Sequence, residues 1–253
     1  MHLDVQKANI WKRISAGILD AILLSVVVAF LAMALSSLLG FDRYNAAMDN
    51  CYAKYEKQYG ISFDITIEEF NAMSQEEIDL YNTAYAAFSA DEDAIYNFNM
   101  IVQLSMVIAS ISILLGYLSL EFVVPLFLKE GRTLGKKIFG IGLMRTHGVR
   151  INAVSLFIRT FLGKFTIETM IPVLIILMIL WGTIGIVGPL VIVGIALLQI
   201  ILLATSHTNS LIHDRLSDTV VIDMESQMIF DTEDELIEYT KRLHAEKASK
   251  QVY

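Results

Sequence analysis

The sequence predicts an all-α membrane protein: a four-span transmembrane helical bundle with both termini cytoplasmic, an acidic helical extracytoplasmic insert and a small cytoplasmic β-element. Three observations lead there. Of the 253 residues 55 % are hydrophobic, with a mean hydropathy of +0.56, beyond the roughly 45–50 % apolar usage of soluble domains. Long apolar runs recur with few ionisable residues in them. The charges outside those runs segregate by sign, although they sum to −8.

Residues 1–40 hold a basic N-terminal tail and the first span. From Ile14 to Leu39 the only ionisable residue is Asp20, and about 20 helical residues suffice to cross the hydrocarbon core. A secretory signal peptide competes for this segment, because Lys7, Lys12 and Arg13 precede an apolar run that contains Ala32-Met33-Ala34. Against it stand the Asp inside the run and the continuation of apolar residues past that site. The insert, residues 41–99, carries twelve acidic side chains between Asp42 and Asn99 against Arg43, Lys54 and Lys57. It reads as a small helical cap whose tyrosines, from Tyr44 to Tyr96, sit at headgroup level. Cys51 is the one cysteine, so no intramolecular disulfide forms.

The second span, 100–128, carries Glu121 and Pro125. It leads into a basic loop, 129–166, where Lys129, Arg132, Lys136, Lys137, Arg145, Arg150, Arg159 and Lys164 oppose Glu130. The positive-inside rule places this loop and the N-terminus in the cytoplasm and the acidic insert outside. Within it GIGLMRTHGVRI predicts a β-hairpin turning at His147-Gly148, and TVVIDM at 219–224 a third short strand. INAVSLFIRTFLGKF spaces Val154, Phe157, Ile158, Phe161, Leu162 and Phe165 on one helical face. Asn152 is its N-cap, and Arg159 and Lys164 lie on the polar side. Such a basic amphipathic helix lies in the membrane interface or runs into the next span.

The apolar stretch 167–206 is about twice too long for one crossing. A transmembrane hairpin follows, turning at Gly185, Gly188 and Pro189. Residues 207–253 hold a charged knot, HDRLSDT, and an acidic tail predicted helical from Asp231 to Gln251 with Asp231-Thr232 at its N-cap.

Three stretches stand out together: RISAGILD at 13–20, GRTLGKKIFGIGLM at 131–144 and HDRLSDTVVI at 213–222. In this order and spacing they resemble the RDD family of bacterial membrane proteins, over 11–40 and 105–222. The resemblance implies a family motif of Arg13, Asp20 and Asp214, a multi-pass fold in the cell membrane, and transport of ions or small solutes as an expectation. Ser217-Asp218 stand where the family usually has small residues, which puts the partner of Arg215 in doubt.

Helical rise puts Asp20 about 10 Å beyond Arg13 and Glu121 about 12 Å from the same boundary, with Gln199 level with both. Intramembrane carboxylates usually face a partner, water or a transported ion. Asp20, Glu121 and Gln199 are therefore a candidate ion or proton site, while the structural alternative pairs Asp20 with Arg13 or Arg159. The knot reads as a cytoplasmic latch of His213, Asp214 and Arg215 against Arg132, Lys136 and Lys137. The GRTLGKK loop lacks the Walker spacing, and its lysines suit anionic lipid headgroups. Gly131 and Gly135 are expected to permit a tight turn there.

His2, His147, His207, His213 and His244 show no metal spacing, and no nucleophile elbow occurs. The expectation is therefore no enzyme, no metal, no cofactor and no nucleic-acid partner. The leading function is transport of a cation or of a proton-coupled small solute. The alternative is a non-catalytic adaptor or assembly factor that binds another membrane protein. The partners expected are the bilayer, its anionic headgroups, and a second copy or another membrane protein.

Overall fold

A computed structural model describes residues 6–128 and 130–250. The expectations that rest on His2, Lys129 and Gln251 fall outside these residues. Four helices are long and apolar enough to cross a membrane. They are α1 (Ile10–Leu39), α5 (Glu92–Leu128), α7 (Ala153–Leu180) and α8 (Val187–Thr205). Between the first two lie α2 (Phe41–Tyr59), α3 (Ile67–Ala72) and α4 (Gln75–Ser89). The short helix α6 (Leu134–Ile138) and strand β1 (Ile141–Arg145) follow α5, and α9 (Ile212–Leu216) and β2 (Thr219–Asp223) follow α8. The tail forms α10, Glu233–Lys250.

The chain divides into two compact units, one of residues Phe30–Ile111 and one built from the residues up to Ala29 together with those from Ser112 onward. In the first, Thr66 and Ser74 cap α3 and α4 with complete capping boxes, each returning a bond from Glu69 or Glu77. Several of the insert's tyrosines pack against its phenylalanines. Tyr52 stacks on Phe88 at 4.6 Å, and Phe63 meets Tyr52, Tyr81 and Tyr85 edge-on. These rings surround a core of Met48, Tyr55, Phe88 and Ala94. Asp91 joins the pieces: it accepts bonds from Lys54 Nζ at 2.7 Å and Tyr55 Oη at 2.8 Å, and caps the backbone N–H groups of Asp93 and Ala94. An insert with few aliphatic residues finds its core in aromatic area instead.

The second unit holds the site. β1 and β2 pair antiparallel, with Leu143 opposite Val221 and Met144 opposite Val220. Alternate residues face opposite sides, so Ile141, Leu143 and Val221 pack on Ala8, Ala16 and Leu156, while Met144, Val220 and Ile222 form a separate cluster. The expected third strand, 219–224, is β2, whereas the return arm of the expected hairpin meets β1 only in a single bridge. Arg145 N–H donates to Val149 O and Gly148 N–H to Arg145 O, closing the turn. Arg150 then bridges Met144, but its N–H goes to Phe230 O and the arm ends. On the other edge Lys7 bridges Ile222.

The amphipathic stretch runs into the third span, the second of its two expected courses, as one helix, α7, wound as π-helix from Ile158 to Met170. Its basic side turns inward: Arg159 is 3 % exposed, whereas Val154 is 66 % and Leu162 51 % exposed. In a bilayer the apolar face is satisfied by lipid, so buried basic groups seek buried carboxylates. The hairpin turns at 181–186, one turn earlier than expected, with Gly182 in the left-handed region. Gly188 and Pro189 lie inside the first turn of α8, where the ring costs no intrahelical hydrogen bond. The tail helix is capped as expected, Thr232 Oγ1 accepting from Glu235 N–H at 3.2 Å.

Candidate functional site

Asp214 is fully buried. It opens α9, where its Oδ2 accepts the N–H of Leu211 at 2.9 Å. The same oxygen accepts Arg13 Nη2 of α1 at 3.0 Å, and Oδ1 accepts Arg159 Nη1 of α7. Arg159 Nη1 also donates to Thr219 Oγ1 at 2.7 Å, and Arg13 Nη1 to Thr208 O at 3.2 Å. Burial opposes the charge on Asp214, but Arg159, His213 and Arg13 outweigh it and hold its pKa well below the usual carboxylate range. Arg13 and Asp214, two of the three residues that the resemblance marks, thus meet directly.

Asp20, the third, does not pair with Arg13 or Arg159. Its Oδ2 accepts Thr133 Oγ1, and its Oδ1 accepts the N–H of Gly135 at 2.8 Å. Lys136 Nζ lies 3.8 Å from Oδ2 and donates to Thr133 Oγ1 at 3.1 Å. The physical reason is proximity: a Cβ on Gly135 would stand 2.4 Å from Ala16 O. This glycine brings α6 against α1, whereas Gly131, at φ 59°, makes the turn.

Glu121 pairs with Lys164, Oε2 to Nζ at 2.6 Å, and its own carbonyl accepts Thr160 Oγ1 at 3.0 Å. Both partners lie in π-helical stretches, Tyr117–Val123 and Ile158–Met170, a winding frequent at functional sites. His213 Nδ1 meets Glu168 Oε2 at 2.7 Å, and the His213 N–H donates to Glu168 Oε1 at 3.1 Å. Burial and the charge of Arg159 lower the His213 pKa from its ordinary value. Gly163 lies flat on this histidine: a Cβ there would stand 2.4 Å from His213 Cβ and 2.7 Å from its Cα. Gly163→Ala is expected to cost about 1–3 kcal/mol by overpacking, measured by thermal unfolding in detergent; an unchanged midpoint would contradict the tight packing.

The other charged side chains and His213, though not Asp214, Thr133 or Thr160, line one cavity of about 350 Å³. Its basic members are Arg13, Lys136, Arg159 and Lys164, and its acidic ones Asp20, Glu121 and Glu168. Asp20 and Glu121 therefore do share a site, but each already holds a donor. Gln199 does not line it: its Oε1 accepts the N–H of Ile212 at 3.2 Å and so fastens α9 to α8. No group of three or more His, Cys, Asp or Glu able to hold a metal occurs among the described residues.

The latch divides. His213 and Asp214 are buried in the site with Lys136, whereas Arg132 pairs with Glu130 at 2.7 Å, and Lys137 and Arg215 are exposed. Asp218, at φ 53°, accepts Thr146 Oγ1 at 2.5 Å. Sequence reasoning missed the parts played by Thr133, Lys164 and Glu168. Glu168 carried a signal, as an ionisable residue inside an apolar stretch. The hydroxyl of Thr133 carried none.

No curated protein and no solved structure matches the chain. The model of the RDD family matches residues 7–218, which span Arg13, Asp20, the GRTLGKK loop and Asp214, and the chain belongs to that family.

Proposed function

We propose that the chain is a membrane transporter, not an enzyme, that moves a small solute together with a proton. The observation that carries this reading is the charge-lined cavity among α1, α5, α7 and α8. Asp20 and Glu121 hold Thr133, Gly135 and Lys164 at hydrogen-bond distance. Carboxylates so occupied leave no open ligand set for a bare cation, which favours a proton-coupled solute. The segregation of lysine and arginine supports a cytoplasmic-membrane location with both termini inside.

The test is proton movement in proteoliposomes with an internal pH-sensitive dye, challenged in turn with Na⁺, K⁺, Li⁺, acetate and inorganic phosphate. Wild type is expected to couple proton movement to at least one addition. Asp20→Asn combined with Glu121→Gln is expected to abolish it. Undiminished movement in a folded double variant sinks the reading.

A second reading, an adaptor for another membrane protein, is favoured by the insert's own aromatic core. Under it, deleting residues 45–95 removes a co-purifying partner, and no flux is seen with or without the insert.

A further inference from the structure

Among the charged groups of the cavity, Lys136 is the least matched. Asp20, Glu121 and Glu168 each accept a donor within 2.9 Å. Lys136 Nζ stands 3.8 Å from its nearest carboxylate and donates to a neutral hydroxyl, with the residue 7 % exposed. The charged groups that face it are Asp20 on α1, Glu121 on α5, and Lys164 and Arg159 on α7. Two of these are cations, and one carboxylate, Glu121, is already taken by Lys164 at 2.6 Å. A buried ammonium in that setting is costly unless a further anion matches it. Burial first and then Lys164 pull its pKa down to about 8. Beyond the charges the cavity wall turns apolar, at Ile10, Ile14, Leu24 and Leu203.

We propose that this cavity binds a small organic anion, a carboxylate or phosphate monoester with a short apolar group, its oxygens on Lys136 beside Lys164 and its carbon end toward Ile14 and Leu24. The proposal rests on the transport reading only for what happens after binding. The same oxyanion chemistry is offered by a free solute and by the headgroup of an anionic lipid. An anion on Lys136 also stabilises its proton, so binding draws a proton in when the pH lies above about 8.

The experiment uses the full chain in phosphatidylcholine nanodiscs, titrated with butyrate and with butyl phosphate by calorimetry. Wild type is expected to bind at least one of them. For butyrate, whose charge is constant between pH 7 and pH 9, the affinity should fall about tenfold over that interval. Lys136→Gln should lose at least tenfold and Lys136→Arg should keep most of the affinity. Ile14→Trp, a change at a half-exposed position of α1, should weaken binding without unfolding the chain, which separates loss of the site from loss of the fold. Repetition in nanodiscs containing phosphatidylglycerol assigns the source: competition with butyrate marks a lipid headgroup as occupant, and its absence a free solute. Equal affinity in wild type and folded Lys136→Gln, or no binding of either anion at millimolar concentration, overturns the proposal. Anion binding without proton movement in vesicles defeats the transport reading alone, and cation-driven proton movement without anion binding defeats this proposal alone.

Discussion

Asp214→Asn is expected to destabilise the protein by about 3–5 kcal/mol, the cost of leaving a buried charge without its partner. The side chain is fully buried, and it is the carboxylate on which Arg13 and Arg159 both converge. The amide keeps the shape but offers one acceptor oxygen where two are in use, so one guanidinium faces an NH2 donor, and it carries no charge to offset two guanidiniums, one of them 3 % exposed. Removing the charges together should cost much less, because a buried ion group replaced by apolar residues of similar volume is often neutral. Equilibrium unfolding in mixed micelles compares Asp214→Asn with the triple variant Asp214→Leu, Arg13→Leu, Arg159→Met. A loss below about 1 kcal/mol for the single change would mean that the guanidiniums find other acceptors.

Glu121→Leu is expected to have a similar effect, about 3–5 kcal/mol, because it strands Lys164 in the same cavity. The Lys164→Leu change alone should cost less, since Lys136 and Arg159 remain near Glu121. Together the two changes should recover part of the loss, with a coupling energy of about 0.5–3 kcal/mol in a double-mutant cycle. Additive costs would show that the 2.6 Å contact contributes nothing to stability.

The spans were legible because length and apolarity are local properties: Ile14–Leu39 reads as a crossing wherever it is placed. The tail was legible for the same reason, since a threonine followed three residues later by Glu235 caps itself. Partner choice was not. A period-2 pattern marks 141–145 and 219–223 as strands but does not say that they pair with each other across 78 residues rather than through the nearer His147-Gly148 turn. Arg159 and Lys164 were placed on the polar side of an amphipathic helix by counting 100° per residue, a count that fails once the helix takes i to i+5 bonds. The pairing of Asp20 was illegible for another reason. Its partners are a hydroxyl and a backbone N–H, and neither leaves a charge in the sequence to be matched.

The bond between Arg13 and Asp214 joins residues 201 positions apart. On a ribosome that adds about 5–20 residues per second, Arg13 is made roughly 10–40 seconds before the carboxylate that neutralises it. Throughout that interval the first helix has no mate for its guanidinium, although Asp20 of the same helix can already meet Thr133 and Gly135. The order of synthesis thus leaves the ion pairs of Lys12 and Arg13 among the last contacts of the first helix to form, and a chain truncated before them should unfold more readily in detergent.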